Sequence, residues 1–276
     1  MSVVLIAPEG MLGRACAEHL DREGVAYQGV SRPDIDVTSS ESVRAALKGA
    51  SVVLNCSAFT DVDGAETRED EATEVNGEGV RHLAEACLAE DALLVHVSTD
   101  YVFPGHADAP YPVDAALDPI NAYGRSKAAG EEAIRTTGTR HLIVRTSWLY
   151  APWGTNFVRT MAKLAAERDT LRVVNDQRGR PTSAQHLARV MWGLVQAKVE
   201  GTFHGTDGGE ATWFDLASHV VGRVRPACRV DPCSTDEFPR PAPRPSYSVL
   251  DLAPIEAVLG PMTPWRSNVD AVLEQL

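Results

Sequence analysis

The 276-residue sequence predicts an α/β protein built on a doubly wound parallel sheet, followed by a smaller C-terminal region. Three observations predict it. Short apolar runs rich in β-formers alternate with longer amphipathic stretches through residues 1–150, the pattern of repeated strand-helix-strand units. The runs are apolar throughout rather than at every second position, as strands covered on both faces require. A glycine-bearing turn follows the first run at once, where such sheets place an anion.

Taken in order, "VVLIA" (3–7) reads as the first strand, and "MLGRACAEHLDREG" (11–24) as a helix ended by glycine. "AYQGV" (26–30) is the second strand and "SSESVRAALKG" (39–49) a helix with serine at its start. "SVVLNCSA" (51–58), the long helical pattern "EATEVNGEGVRHLAEACLAE" (71–90) and "ALLVHVST" (92–99) continue the alternation. A helix around Tyr123 and the run "HLIVRTSWLY" (141–150) close the first domain, 1–150.

Residues 151–276 form the second region. It holds a helix over 156–168, a strand at 171–176, a helix over 184–198, the run "GTFHGTD" and a helix over Trp213–Val224. Part of 170–200 is expected to return to the first sheet. The stretch Pro226–Pro245 carries six prolines yet leads into "SYSVLDLAPIEAVLG", so an ordered loop is expected rather than a linker.

Composition narrows the function classes. With 44% hydrophobic and 23% charged residues the chain is an ordinary globular one. A formal net charge of −12 argues against nucleic acid or an anionic membrane as partner, so a phosphorylated ligand needs locally placed arginines. The five cysteines lack metal-ligand spacing and read as reduced thiols. No basic leader precedes the short N-terminal apolar run, and no stretch is long enough to span a bilayer. The expected location is the cytoplasm.

The turn after the first strand, Ala7-Pro8-Glu9-Gly10-Met11-Leu12-Gly13, matches G-x-x-G-x-x-G at its second and third glycines, with Ala7 in the first place. Its setting between strand and helix is that of a Rossmann-type dinucleotide loop. Glu9 would oppose a pyrophosphate unless it turns to solvent. At the end of the second strand, where an acidic residue normally takes the adenosine ribose, stand Ser31 and Arg32. An arginine there suits a 2′-phosphate, hence NADPH.

Three further pieces fall near the carboxyl ends of predicted strands: Ser98-Thr99-Asp100, the pair Tyr123 and Lys127, and Trp148. Only four of the 26 basic residues are lysines, and one sits a helical turn after Tyr123, on the same helix face. An ammonium there could bring the phenol from about pH 10 toward neutrality, a change worth about 4 kcal/mol. The chemistry that fits is hydride transfer to a carbonyl, with a proton from Tyr123 and a hydrogen bond from Thr99. Taken singly, each residue also has an ordinary structural explanation; their joint placement is the argument.

These residues carry a family resemblance. The chain resembles the extended short-chain dehydrogenase/reductases, and among them the dTDP-4-dehydrorhamnose reductase family. The matching segments are "GMLGRA" (10–15), "DIDVT" (34–38), "NCSAFTDVDGAE" (55–66), "VSTDYVFPG" (97–105), "NAYGRSKAAGE" (121–131), "VRTSWLYAPWGTNFVRTM" (144–161), "DQRGRPTSAQHLA" (176–188) and "RPSYSVLDL" (244–252). The resemblance implies that Thr99, Tyr123 and Lys127 are catalytic. It places Gly10, Met11, Leu12, Arg32, Asp36, Val37, Ala58, Phe59 and Thr60 around the dinucleotide, together with Tyr123 and Lys127. It turns Thr99, Asp100 and Trp148 toward the sugar, and makes the C-terminal region the substrate-binding one.

It further implies NADPH or NADH as hydride donor, reduction of the 4-keto group of a nucleotide-linked 6-deoxyhexose such as dTDP-4-dehydro-6-deoxy-L-mannose, and often a homodimer. Some members bind a metal through a glutamate two residues beyond the last loop glycine; Ala15 holds that place, so no metal is expected. The rival readings are a sugar-nucleotide epimerase or dehydratase of the same fold, and a non-catalytic binding subunit similar to the β subunit of methionine adenosyltransferase. Dehydratases resemble this chain but place a glutamate after Thr-Asp, where Tyr101 stands here. Arg178 and Arg180 are the candidates for the nucleotide diphosphate.

Overall fold

The computed structural model describes all residues, 1–276. In the first half of the chain, β1 (Val3–Ile6), β2 (Tyr27–Val30), β3 (Val52–Asn55), β4 (Leu93–Thr99) and β5 (His141–Thr146) are strands. Between them lie α1 (Met11–Arg22), α2 (Ser40–Ala46), α3 (Val62–Ala65), α4 (Glu69–Thr73), α5 (Gly79–Ala89) and α6 (Ala122–Thr137). The 71–90 pattern is one helical run broken by a π-turn at Glu74–Glu78, which turns Asn76 inward to hold the Phe59 backbone by both amide atoms, at 2.9 and 3.0 Å.

The second half adds β6 (Leu149–Tyr150), α7 (Phe157–Glu167), β7 (Thr170–Val174), β8 (Arg178–Gly179), β9 (Thr182–Ser183), α8 (Ala184–Gln196) and β10 (Gly201–His204). After these come β11 (Ala211–Thr212), α9 (Trp213–Val224), β12 (Arg229–Cys233), α10 (Ala253–Leu259) and α11 (Trp265–Leu273). Six strands form one sheet in the order β10-β5-β4-β3-β1-β2, every neighbouring pair parallel. β2 is an edge strand with Gln28 and Gly29 exposed, the one early run that is not covered on both faces.

Burial divides the sheet's covering into two layers. Leu12, Cys16 and Leu20 of α1 share a core with Leu187, Met191 and Leu194 of α8 and Ile255 of α10. Val43 of α2 and Leu83 and Cys87 of α5 share the core of the opposite face with Ile6, Val53 and Leu94. Since α1 and α2 leave to opposite faces, the winding reverses at β1. The crevice outside the carboxyl ends of β1 and β3 is therefore the switch point where such sheets bind ligands.

A third core, with Val158, Leu171, Leu216, Trp265 and Val269, belongs to a small lobe made by α7, α9, α11 and the parallel pair β7 and β12. The expected boundary near residue 150 is thus only part of the division. The strand that rejoins the main sheet is β10, just beyond the 170–200 window, and α8 and α10 return with it; β7 does not, because its partner is β12. The proline-rich loop is ordered: Asn121 caps α6 by accepting from Gly124 N–H at 2.8 Å and donates to Pro243 O at 3.0 Å. No helix is long and apolar enough to cross a membrane.

Candidate active site

The loop after β1 makes the glycine turn without its first glycine. Ala7 takes φ +59°, a left-handed conformation that costs a residue bearing Cβ about 1–2 kcal/mol. Gly13 is required by packing, since a Cβ there would lie 1.9 Å from the Ala7 carbonyl oxygen. Gly10 is the N-cap of α1 and no side chain caps the helix start, leaving first-turn N–H groups at Met11 and Leu12 free for an anion. Leu12 can offer only its backbone, for its side chain is buried in the core. Glu9 is exposed and turned to the end of β2, where Ser31 Oγ donates to its carboxylate at 3.1 Å.

A groove of about 290 Å³ opens at this crevice, lined by Ala7, Arg32, Val37, Ala58 and Phe59 together with Ser31, Ser57 and Val75. Arg32 is exposed and lies 3.2 Å from Asp36. Asp36 is occupied within its own loop, accepting from the Thr38 hydroxyl at 2.8 Å and the Thr38 N–H at 3.0 Å. Those bonds, the hydroxyl's first, hold its carboxyl below the usual range. Thr60 is exposed next to the groove-lining Phe59. An uncapped helix start beside an arginine-edged groove fits a phosphorylated dinucleotide.

At the end of β4, Thr99 Oγ1 donates to Asp100 Oδ1 at 3.0 Å and accepts from Tyr101 N–H at 3.2 Å. Tyr123, in the first turn of α6, is half-buried. Its ring meets the Tyr101 ring edge-on at 6.0 Å and packs with Phe59 around Ala65, Ala72 and Ala122. Burial and the Asp100 charge push its phenol above the ordinary value, and the nearby Thr99 hydroxyl opposes them.

Lys127 is fully buried, and no hydrogen bond joins it to the Tyr123 phenol. Its ammonium position donates to Val97 O at 2.7 Å and lies 3.3 Å from His96 Nε2. Burial lowers it to about 8, with Glu131 pulling the other way. Asp100 is 2% exposed, and its Oδ2 has no hydrogen-bond partner. Burial raises its carboxyl to about 7, with Ser248 and Thr99 opposing.

Beneath these groups a buried ion pair fixes the frame. Arg145 of β5 grips Glu131 of α6 with two bonds, at 2.8 and 2.7 Å, and Ser98 Oγ donates to the same carboxylate at 2.6 Å. Removing one partner of such a pair typically costs about 3–5 kcal/mol, because the other charge is left buried.

Trp148 breaks the 141–150 run. Its φ of +48° falls two residues beyond β5, a strained backbone of the kind stored at functional sites. The ring stacks on Trp213 of the small lobe, centroids 3.7 Å apart and planes at 11°. Beside it lies a cavity of about 800 Å³ whose apolar lining includes Phe157, Leu171, Val173 and Trp213, and whose basic lining is Arg168, Arg172, Arg240 and Arg244. Asp63 of α3 holds the last two, 2.7 Å from Arg240 and 3.0 Å from Arg244. Arg244 also lies over the Tyr101 ring at 6.0 Å.

Arg178 and Arg180 are not the cavity's arginines: the first reaches toward Glu210 at 3.7 Å and the second donates to Leu250 O. The residues that sequence reasoning missed are Arg172, Arg240, Arg244 and His96. The interleaved arginines of "PRPAPRP" were the available signal, but nothing local ties them to a pocket formed with β7 and α7.

Comparison with known proteins places this site in context. Residues 1–276 match the model of the family described as RmlD substrate binding domain. A dTDP-4-dehydrorhamnose reductase of Streptomyces griseus is 42% identical over 268 residues, 94% of this chain and 88% of the relative. A dTDP-4-keto-6-deoxy-D-glucose reductase of Streptomyces niveus is 43% identical, covering 94% of this chain and 91% of its own. The crystal structure of a dTDP-4-dehydrorhamnose reductase from Bacillus anthracis in complex with NADP superposes with a TM-score of 0.94 at 33% identity, covering 100% of this chain and 99% of that one.

Proposed function

The chain belongs to the RmlD substrate-binding family and is an NAD(P)H-dependent oxidoreductase, and from that premise we propose that it reduces the 4-keto group of a dTDP-linked 6-deoxyhexose. The substrate we assign is dTDP-4-dehydro-6-deoxy-L-mannose, and the product dTDP-L-rhamnose. What supports the reading is one arrangement: the Thr99 hydroxyl lies close enough to act on the Tyr123 phenol, and Tyr123 is linked by packing to both binding regions. Tyr123 shares an apolar cluster with Phe59 of the crevice groove. Through Tyr101 it touches Arg244 of the larger cavity.

When bound, NADPH supplies the hydride. The residues that would hold it are Gly10 to Leu12 at the start of α1, Arg32, Val37 and the Ala58–Thr60 loop. The protein's part is then geometry and a proton. A phenol held above its ordinary pKa is fully protonated at neutral pH, so Tyr123 is a loaded donor for the carbonyl oxygen as charge develops there. The Thr99 hydroxyl, turning its one proton from Asp100 Oδ1 to that oxygen, gives it a second hydrogen bond. The Trp148–Trp213 stack offers a flat apolar wall to the hexose. Arg172, Arg240 and Arg244 neutralise the diphosphate, and the apolar lining by Phe157 and Val173 takes the base.

The testing experiment supplies NADPH and the L-manno 4-ketone, made from dTDP-4-dehydro-6-deoxyglucose with a 3,5-epimerase, and reads the product's configuration by NMR. The same assay without the epimerase presents the D-gluco ketone, the substrate in the name of the Streptomyces niveus relative. Faster turnover of the D-gluco ketone would overturn the L-manno assignment; reduction of neither ketone would overturn the reductase reading.

A further inference from the structure

We propose that His96 is a positioning residue that sets the protonation state of Lys127, because its imidazole presents an N–H, not a lone pair, to the lysine amine. The argument is one of donors and acceptors. Asn55, at the end of β3, accepts at Oδ1 from the Ser57 N–H at 3.1 Å and the Ser57 hydroxyl at 2.6 Å. A backbone N–H can only donate, so that atom is the oxygen and the other end of the amide is NH₂. The NH₂ lies 3.0 Å from His96 Nδ1, which must accept. A neutral imidazole then carries its single proton on Nε2, the atom 3.3 Å from Lys127 Nζ.

An ammonium has three donors and no acceptor, so it meets this N–H as a repulsion. The neutral amine meets it as a hydrogen bond: its lone pair accepts from Nε2–H while one N–H keeps the Val97 carbonyl at 2.7 Å. His96 is wholly buried, and burial with the Lys127 charge pushes its own pKa down, so it stays neutral and keeps this tautomer. The other charged or titratable groups around Lys127 are few. Glu131, one turn on in α6, favours the ammonium, but its carboxylate is committed to Arg145 of β5, to Arg135 and to Ser98. Tyr123 lies one turn back on α6, and Asp100 directly follows β4. Burial already lowers Lys127, and the triad Asn55, His96 and Lys127 adds to that by meeting the neutral amine with a donor, so that Lys127 titrates rather than standing as a fixed cation.

The inference rests on Lys127 belonging to the proposed active site, but its test uses ligand-free protein and no turnover, so either can fail without the other. The chain has four lysines, so protein labelled with ¹³C at lysine Cε gives four side-chain signals, with Lys127 assigned by its loss in Lys127→Arg. The expected result is a Lys127 midpoint well below the ordinary lysine value of about 10.4. In His96→Gln, whose amide oxygen can accept from an ammonium, the midpoint moves up by about one pH unit or more, a tenfold gain in proton affinity. Long-range ¹H–¹⁵N spectra of the wild type read the tautomer directly and do not depend on the variant folding; Nε2–H is expected. An Nδ1–H tautomer, a Lys127 that titrates with the other lysines, or an unmoved midpoint in a folded His96→Gln overturns the proposal.

Discussion

Trp148 lies flat on Trp213, with ring centroids 3.7 Å apart, and joins the end of the parallel sheet to the small lobe. The contact depends on Gly179 behind it, where a Cβ would come within 2.8 Å of the Trp148 ring. Gly179→Ala therefore has to displace the indole. The expected outcome is a KM for the nucleotide sugar raised about tenfold, together with an overpacking loss of about 1–3 kcal/mol. Steady-state kinetics and near-UV circular dichroism check it. A variant with unchanged KM and an unchanged tryptophan signal would remove the stack from the substrate site.

Arg244 is anchored to Asp63 at 3.0 Å and borders the larger cavity. Losing a hydrogen bond to a charged group costs about 1.5–3 kcal/mol, so Arg244→Ala raises the KM for the dTDP-sugar about tenfold or more and leaves that for NADPH unchanged. Arg178→Ala, whose guanidinium reaches toward Glu210 outside the cavity, changes neither. Equal effects of the two substitutions would contradict the assignment of the diphosphate to this cavity.

At the end of β2, Arg32 edges the dinucleotide groove with Glu9 and Asp36 as its acidic neighbours. If its guanidinium meets the 2′-phosphate, Arg32→Ala lowers kcat/KM for NADPH about tenfold and leaves that for NADH nearly unchanged. Measuring both cofactors at low ionic strength checks it; an unchanged ratio removes Arg32 from cofactor discrimination.

Asp207 carries a stability prediction far from the chemistry. Burial raises its carboxyl to about 7, although Tyr150 and the Ser183 N–H hydrogen-bond it, and Oδ1 has no partner. A folded pKa above the unfolded one means that the folded state binds more protons between pH about 4 and about 7. This group's contribution therefore worsens as pH rises through that window. Asp207→Asn is expected to be more stable than the wild type at pH 8, on the order of 2 kcal/mol, and the advantage fades toward pH 4. Denaturant melts at several pH values check it, and a gain that is constant with pH would contradict it.

The parts of the fold that were legible are the local ones. Val3–Ile6, Val52–Asn55 and Leu93–Thr99 announce themselves as mainly apolar runs, and Tyr123 and Lys127 share a face because helix geometry fixes the spacing. What was not legible depends on distant partners. β7 reads as a strand of the second region, but nothing in its own sequence names its partner, Arg229–Cys233, which lies in the stretch expected to be a loop. The cavity draws Leu171 and Arg244 together from positions 73 residues apart. Ala7 looks like a lost glycine in sequence, while its φ of +59° keeps the turn. The spacing of Tyr123 and Lys127 puts both on one helix face, but the partner that the ammonium position finds, the Val97 carbonyl on β4, depends on the fold.

The most direct test of the central claim compares Tyr123→Phe with the wild type in NADPH oxidation driven by dTDP-4-dehydro-6-deoxy-L-mannose, alongside the Kd for NADPH of each. With the phenolic proton as the one delivered to the carbonyl oxygen, the rate falls about 100-fold or more, while NADPH affinity and thermal stability stay close to those of the wild type. A phenylalanine variant that binds NADPH and turns over at a rate comparable to the wild type would contradict the assignment of Tyr123 as the proton donor.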